Sequence, residues 1–189
     1  PQDSILSYRI FKKSIDARKK KDIHFVYAVD VELKNEEKIL KKYENKGVTK
    51  VLSKSYKYDN IAPKDTKSPI IVGTGPSGLF AGLILAQMGY KPILLERGKC
   101  VDERSSDVDL FWKEGKLNIE SNVQFGEGGA GTFSDGKLTT LVNDPRSRKV
   151  LEEFVEAGAP EEILYVNKPH IGTDILRNVV KNIRKTIIS

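Results

Sequence analysis

The sequence has few of the residues that build disulfides and metal sites. It contains one cysteine and two histidines in 189 residues. The single Cys100 excludes an internal disulfide framework and a redox-active cysteine pair within this chain, and we interpret it as a packing or surface residue. His24 has no Cys, His or Asp cluster at metal-ligand spacing beside it, so no metal site is predicted.

Long apolar runs are also missing. No stretch approaches the roughly 20 residues that a bilayer span requires. The N-terminal segment becomes polar and basic within a few residues, unlike a signal peptide, in PQDSILSYRIFKKS. With 39% hydrophobic and 31% charged residues, the composition is that of a soluble globular protein. We therefore expect a cytoplasmic protein with no membrane partner.

The net charge of +6 is unevenly distributed along the chain. Residues 1–67 hold 17 Lys and Arg against 10 Asp and Glu, whereas residues 68–189 hold 15 against 16. Between the two parts lies APKDTKSP, whose prolines remove backbone donors and restrict the residues before them. The sequence predicts a small basic domain at 1–62, a linker at 63–68 and a second domain at 69–189.

The first domain is predicted to be a small α+β unit. Strict alternation over residues 23–33, IHFVYAVDVEL, is the pattern of a half-buried strand. A helix should follow in EEKILKKYENK, and strand-like alternation returns in VTKVLSKSY. The ambiguous segment YRIFKKSIDARKKK favours a short strand that runs into a helix. The resulting β-α-β-α-β order is compatible with a ferredoxin-like layer.

Basic residues in this domain could contact the phosphates of a nucleic acid. Ten acidic residues are interleaved with them, and no recognised nucleic-acid motif is present. A solvated charged face is therefore favoured over nucleic-acid binding. The cations in question are Lys12, Lys13, Arg18, Lys19, Lys20 and Lys21.

Three glycines follow a short apolar run in IIVGTGPSGLF, residues 70–80. With the helical pattern LFAGLILAQMGY behind them, they have the strand-turn-helix context of a dinucleotide-binding motif. Gly73 would make the tight turn, Gly75 would let a pyrophosphate approach the backbone, and Gly78 would bring helix against strand. The N–H groups at the start of the helix would then face phosphates.

Glu96 ends a second apolar strand, KPILLERG, 18 residues after Gly78. A carboxylate at this place can accept hydrogen bonds from both ribose hydroxyls of an adenosine, and it repels a 2′-phosphate. We predict a Rossmann-like α/β domain with a parallel sheet that binds an adenine dinucleotide, in preference to a purely structural βαβ turn. The motif alone does not separate FAD from NAD, because both contain the same ADP half.

A second glycine-rich segment, QFGEGGAGTFSDGKLTT, spans residues 124–140 and has five glycines in eleven positions. Such density is costly to order and suits a backbone that lies close to a large rigid ligand. Together with SIDARKKKDIHFVYAVDVEL, IIVGTGPSGLFAGLILAQMGYKPILLERG and KPHIGTDIL, in chain order, it resembles bacterial FAD-dependent dehydrogenases. These are NAD(P)/FAD-dependent oxidoreductases with a glutathione-reductase-like architecture of two dinucleotide-binding domains. The resemblance covers nearly the whole chain.

This resemblance implies an FAD-binding oxidoreductase of unknown substrate, with NAD(P) as a further cofactor of the full-length protein. The ADP portion would lie on Gly73, Gly75, Pro76, Ser77, Gly78, Glu96 and Arg97. The pyrophosphate or flavin half would lie near Gly128, Gly129, Ala130, Gly131 and Thr132. Residues toward the isoalloxazine would be Ser134, Asp135 and Lys137, although turn-capping loop roles are favoured for these three.

No catalytic residue is identified by spacing. Lys137 is a weak candidate because a cation can stabilise the negative charge of a reduced flavin. His170 is another, because it lies in KPHIGTD just before the helix DILRNVVKNIRKTII, which Thr173 can cap. Surface or structural roles are favoured for both. Trp112 is predicted to be a core residue.

In the resembled architecture a further strand, a second domain and a returning segment normally follow. We therefore expect the chain to be an N-terminal fragment that binds FAD weakly or not at all and lacks turnover. Two other functions stay open from the residues alone: an NAD-dependent dehydrogenase, and a scaffold that binds RNA or a protein partner through the basic domain.

Overall fold

The computed structural model describes residues 4–43, 46–52, 55–58, 61–140, 142 and 144–189. Within these residues the fold is mixed α/β, with one antiparallel and one parallel pair of strands. Strands β1 (Ile5–Asp16) and β2 (His24–Leu33) form a hairpin, and helix α1 (Glu36–Tyr43) follows. The remaining elements are β3 (Ile70–Val72), α2 (Pro76–Gln87), β4 (Ile93–Leu95), α3 (Val101–Glu114), α4 (Pro145–Glu156) and α5 (Thr173–Ile188), with short 3₁₀ helices at Ala130–Phe133 and Glu161–Leu164.

The β1–β2 hairpin has one apolar and one polar face. Cross-strand pairing places Tyr8 opposite Val31 and Ile15 opposite Phe25, while Arg9 lies opposite Asp30 on the other face. The strand predicted over residues 23–33 is confirmed as β2, and the helix predicted after it is confirmed as α1 over Glu36–Tyr43. Residues 44 and 45 of that prediction lie outside the described residues.

The predicted strand-to-helix run in YRIFKKSIDARKKK is wrong. Strand β1 continues to Asp16, and a turn follows it. The lysine-rich composition permits a helix, but pairing with β2 supplies the backbone hydrogen bonds, and Lys13 lies 4.4 Å from the centre of the Phe25 ring. Strand is also absent from 48–52 and 55–56 of the predicted VTKVLSKSY, whose residues 53 and 54 are not described. The described residues therefore form a hairpin and a helix, which differs from the expected ferredoxin-like order.

The segment from β3 to β4 is a β-α-β unit. The two strands are parallel neighbours, with Ile70 beside Ile93 and Val72 beside Leu95, and α2 makes the crossover. This confirms the strand, turn, helix and second strand predicted over residues 70–95. A Cβ on Gly82 of α2 would lie 2.9 Å from a methyl carbon of Leu94, so the helix crosses β4 closely.

The buried core lies where α2 and α5 pack against each other. Helix α5 contributes an apolar stripe of Leu176, Val179, Val180 and Ile183. The stripe packs with Leu79 and Leu83 of α2 and with the apolar residues Val101, Ala157, Ala159, Ile163 and Ile171. These contacts bring the C-terminal helix beside the glycine motif.

Three side chains of α3 and α5 differ from their sequence predictions. Trp112 is 58% exposed, so its predicted core role is wrong: it lies on the solvent side of α3. Thr173 does not cap α5; Gly172 is at the N-cap position, and the Thr173 hydroxyl instead donates to the carbonyl of Ser134. The helical period of DILRNVVKNIRKTII predicts Ile175 in the apolar stripe of α5, but Ile175 is 37% exposed.

The hairpin touches the rest of the molecule through β1. The Lys13 N–H donates to the carbonyl of Tyr165 at 2.8 Å, and Lys13 forms an isolated parallel bridge with Val166. No helix among the described residues has both the length and the apolarity to cross a bilayer.

Candidate functional site

The first glycine motif forms the turn between β3 and α2. Gly73 has a φ of 89°, which favours glycine, and its N–H donates to the carbonyl of Leu95 at 2.7 Å. A Cβ on Gly78 would overlap the backbone oxygen of Gly73, so the first turn of α2 rests directly on the turn before it. A Cβ on Gly75 would meet no atom of the described residues within 4 Å. Gly75 therefore faces open space at the N-terminus of the helix.

Among the described residues, no side chain caps the N-terminus of α2. Gly75 is the N-cap residue and Pro76 is the first helical residue, so the next free backbone donors are those of Ser77 and Gly78. Pro76 and Ser77 are exposed. Uncapped N–H groups and the positive end of the helix dipole together favour an anion at this place.

Glu96 is fixed beside the glycine turn by hydrogen bonds. Its Oε2 accepts from the N–H of Thr74 at 2.7 Å and from the Thr74 hydroxyl at 2.9 Å, and its Oε1 accepts from the N–H of Gly98 at 2.9 Å. Partial burial raises the pKa of Glu96, but these hydrogen bonds outweigh burial and hold the pKa below its ordinary value. The carboxylate is thus ionised at neutral pH, and three of its roughly four acceptor positions are taken.

Arg97, the other residue predicted in this part of the site, is exposed. Its Nε lies 3.9 Å from Oε1 of Glu120, and the two side chains are 70% and 55% exposed. Such a pair contributes little to stability because water screens it.

The second glycine loop packs on the first. The N–H of Gly128 donates to the carbonyl of Thr74 at 2.8 Å. A Cβ on Gly129 would lie 3.0 Å from Cδ of Pro76 and 3.5 Å from Cα of Gly75. The structure therefore brings the two glycine segments together, although Gly78 and Gly128 are 50 residues apart in the sequence.

The 3₁₀ helix at Ala130–Phe133 contains both exposed and buried members of the predicted site. Ala130 and Gly131 are exposed, and Thr132 is buried. The Thr132 hydroxyl has no hydrogen-bond partner among the described residues, and it lies directly beside Gly128, where a Cβ would overlap it. A buried hydroxyl without a partner is uncommon, and this one is covered by Gly128 and closed to solvent.

Most glycines of this loop are required by contacts within the chain. A Cβ on Gly126 would meet Cδ of Arg104 at 2.7 Å, and one on Gly136 would meet the backbone nitrogen of Gly172 at 2.9 Å. At Gly128 the contacts are with Thr132 and Val180, whereas Gly131 has open space around it. The glycine density that suggested a nearby ligand is thus explained in large part by packing.

Lys137 and His170, the weak catalytic candidates, lie opposite each other. They form an isolated antiparallel bridge, flanked by a hydrogen bond from the N–H of Ile171 to the carbonyl of Gly136 at 3.0 Å. The Lys137 ammonium pairs with Asp135 at 2.7 Å, and this contact raises the pKa of Lys137 and lowers that of Asp135. Both side chains are exposed. The sequence named these residues without indicating that they are neighbours.

Ser134 has the turn-capping contacts that the sequence favours for it. Its hydroxyl donates to the carbonyl of Gly131 at 2.8 Å and accepts from the N–H of Gly136 at 3.2 Å. The same turn is joined to the start of α5 through the Thr173 hydroxyl. This leaves the Ser134 hydroxyl engaged within the loop.

Two buried charged residues beneath the loop were missed from the sequence. Arg104 is fully buried, and Glu127 accepts from the N–H of Val101 at 2.6 Å and from Nη1 of Arg184 at 2.8 Å. Burial is the main cause that raises the pKa of Glu127 and lowers that of Arg104 to about 10. A usable signal existed, because Arg104 occupies the apolar-face position of α3 between Val101 and Val108.

A cavity of about 900 Å³ extends from this site along β4. One end is lined by Thr74, Glu96 and Cys100, and the other reaches Tyr90 and the last residues of α5. The thiol of Cys100 makes no capping hydrogen bond at the start of α3. Glu96 therefore borders both the glycine turn and an open volume.

Comparison with other proteins gives two similarities. Residues 1–32 match a family model described as a domain of unknown function, DUF8436. A protein of Clostridium beijerinckii (strain ATCC 51743 / NCIMB 8052), described as an uncharacterized protein, is 50% identical over 187 residues. That alignment covers 98% of this chain and 35% of the relative, so the chain spans about a third of the relative's length. The family match covers β1 and all but the last residue of β2.

Proposed function

We propose that this chain is the adenine-dinucleotide-binding part of an FAD-dependent oxidoreductase with a partial Rossmann-like domain. One observation carries the proposal. The uncapped N-terminus of α2 and the ionised Glu96 lie side by side at the carboxyl ends of two parallel strands. In open α/β sheets this is the place where dinucleotides bind.

At the carboxyl ends of β3 and β4, different residues would bind the diphosphate and the ribose of the ADP half. The N–H groups of Ser77 and Gly78 would donate to the diphosphate, which Gly75 lets approach because no side chain stands there. Glu96 would accept a hydrogen bond from a ribose hydroxyl through the position that Thr74 and Gly98 leave open. Its lowered pKa keeps it negative, which disfavours a 2′-phosphate.

The second loop supports FAD over NAD. Gly128 and Gly129 lie against the first motif, and the exposed Ala130 and Gly131 follow them along the chain. This arrangement fits a ligand that continues beyond its diphosphate along the loop, as the resemblance to FAD-dependent dehydrogenases implies. Bound FAD would supply hydride or electron-pair acceptance. Lys137 and His170, which face each other across one bridge, stay its candidate polar groups.

The first test is whether the purified full-length protein carries a flavin. We expect the visible absorption of FAD, either directly or after reconstitution. Binding of NADH, observed by fluorescence, without any flavin would favour the NAD-dependent dehydrogenase instead. Failure to retain or take up FAD would reject the proposal.

A variant locates the binding to this motif. Gly75→Ala should lower the free energy of unfolding by about 1 kcal/mol or less, because the added Cβ meets open space but alanine is a poorer N-cap than glycine. It should weaken FAD binding about tenfold or more, because the Cβ stands where the diphosphate approaches. Ser106→Ala, at an exposed position of α3, is the matched control and should bind FAD like the parent. Equal FAD affinity in Gly75→Ala and the parent would place the ligand elsewhere.

A further inference from the structure

We infer that Arg104 is the positioning residue for the second glycine loop. Its guanidinium holds residues 122–127 and so sets where Gly128 and Gly129 lie over the first motif. The inference rests on the proposed function and deepens it, because it identifies what orders the loop that would hold the ligand beyond its ADP half.

In the described part of the chain, the hydrogen bonds of Arg104 all go to one stretch of backbone. Nε donates to the carbonyl of Asn122 at 2.8 Å and Nη2 to that of Val123 at 2.9 Å. Nη1 donates to the carbonyls of Glu127 at 2.5 Å and Gly126 at 3.4 Å. Because the side chain is fully buried, water does not compete for these acceptors. The planar guanidinium thus fixes the path of the backbone that leads into Gly128.

Gly126 packs closely against the side chain of Arg104 and leaves no room for a Cβ. Its φ is 114°, and a Cβ there would lie 2.7 Å from Cδ and 3.1 Å from Nε of Arg104. A Cβ on Gly98 would meet Cα of Gly126 at 2.5 Å, and the N–H of Gly98 donates to Glu96. Gly126 thus packs against Gly98, while Oε2 of Glu96 is held separately by the N–H and the hydroxyl of Thr74, to which Arg104 makes no hydrogen bond in the described structure.

The far end of the loop touches Arg104 as well. The guanidinium carbon lies 4.7 Å from the centre of the Phe133 ring, the last residue of the 3₁₀ helix that contains Thr132. The guanidinium carbon of Arg177, on α5, lies 4.7 Å from the same ring. Arg104 thus contacts the segment both before and after Gly128–Thr132, whereas Arg177 contacts the ring without a hydrogen bond to residues 122–127 in the described structure.

Because only Arg104 also bonds to residues 122–127 in the part of the chain that the structure describes, the same substitution at Arg104 and at Arg177 gives a matched pair of variants. Arg104→Lys keeps the positive charge but loses the planar fork that reaches four carbonyls, because an ammonium group has three donors at one point. Arg177→Lys makes the same chemical change on the other guanidinium at the same ring. Affinities for AMP and for FAD are then measured for the full-length protein and both variants.

We expect a split between the two ligands. AMP binds only where the first motif and Glu96 lie, so Arg104→Lys should keep its AMP affinity within about twofold. FAD also needs the second loop, so its affinity should fall about tenfold or more. Arg177→Lys should change both affinities by about twofold or less. A general loss of structure would weaken AMP and FAD together, and that result, or equal losses in Arg104→Lys and Arg177→Lys, would overturn the inference.

Two further measurements test whether Arg104 positions the loop. Gly126→Ala adds a Cβ that collides with Cδ of Arg104, so it should displace the same backbone and should weaken FAD binding without weakening AMP binding. If the parent protein binds neither AMP nor FAD, the proposed function fails, and hydrogen exchange of the Gly128 N–H, which donates to Thr74, decides the role of Arg104. Faster exchange in Arg104→Lys than in Arg177→Lys supports the positioning role, and equal exchange overturns it.

Discussion

The β1–β2 hairpin and the packed α/β part between β3 and α5 use apolar residues in different ways. In the hairpin, Ile15 and Phe25 pair across the strands yet remain 65% and 56% exposed. In the packed part, Leu83 and Val179 are 1% and 0% exposed. Cross-strand pairs contribute roughly 0.2–1 kcal/mol each, whereas full burial of a large apolar side chain contributes about 1.5–3 kcal/mol. The stability of the described structure therefore resides mainly in the packed part.

Charged residues differ between the two regions in the same way. Arg9 of the hairpin pairs with Asp30 at 3.0 Å, but its side chain is 61% exposed, and such pairs contribute about 0–1 kcal/mol. Arg104 of the packed part is fully buried and bonded to backbone carbonyls. The same residue type is a solvated surface group in one region and an ordering element in the other.

The largest expected effect comes from one substitution made in both regions. Ile183→Ala should lower the free energy of unfolding by about 2–5 kcal/mol, because Ile183 is 2% exposed and leaves a cavity between α5 and its neighbours. Ile15→Ala on the apolar face of the hairpin should cost about 1 kcal/mol or less. Chemical denaturation measures both. A loss of more than about 2 kcal/mol for Ile15→Ala would show that this face is covered in the working protein and would break the comparison.

A smaller effect separates two glycines within α2. Gly78→Ala should cost about 1–3 kcal/mol, because its Cβ would overlap a backbone oxygen that cannot move without distorting the turn. Gly82→Ala is the control: its Cβ meets side-chain carbons of Leu94 that can rotate away, and alanine favours the helix, so the change should stay within about 1 kcal/mol. Unfolding midpoints in denaturant compare the two. Equal losses would mean that the turn and the helix face are equally rigid.

The smallest effect concerns pH. Asp144 caps α4, and hydrogen bonds from Arg146 lower its pKa from an ordinary 3.8 to about 2. A lowered pKa stabilises the fold above the ordinary value, and this stabilisation is lost as the pH falls from 3.8 toward 2. Asp144→Asn keeps an acceptor at the cap but does not titrate, so its stability should fall less over this range than that of the parent.

Trp112, the single tryptophan, lies in α3, so its fluorescence follows the unfolding of the packed part as the pH is lowered. Asp16→Asn is the matched control in the hairpin, where Arg18 also lowers the pKa of Asp16. We expect the unfolding profile followed by Trp112 fluorescence to be unchanged in Asp16→Asn. If Asp16→Asn flattens the pH dependence as much as Asp144→Asn, the hairpin and the packed part unfold as one unit.

Local pattern was sufficient for the elements with a strong period or a strong turn signal. Alternation predicted β2, and glycines at fixed spacing after an apolar run predicted the β3-turn-α2 unit. It failed in YRIFKKSIDARKKK, where helix-compatible residues continue β1 as far as Asp16 because β2 lies beside them. It also failed for Trp112, whose side is set by the packing of α3 and not by residue type.

In the candidate site, too, the local features are predictable from the sequence and the contacts between distant segments are not. The glycine spacing and Glu96 are local features, readable because backbone sterics and chain order act within a few residues. The contact of Gly128 with Thr74, the pairing of Lys137 with His170, and the clamp of Arg104 on residues 122–127 join distant segments. Such contacts depend on which faces of α2, α3 and α5 are buried together, and burial is a property of the whole packed chain.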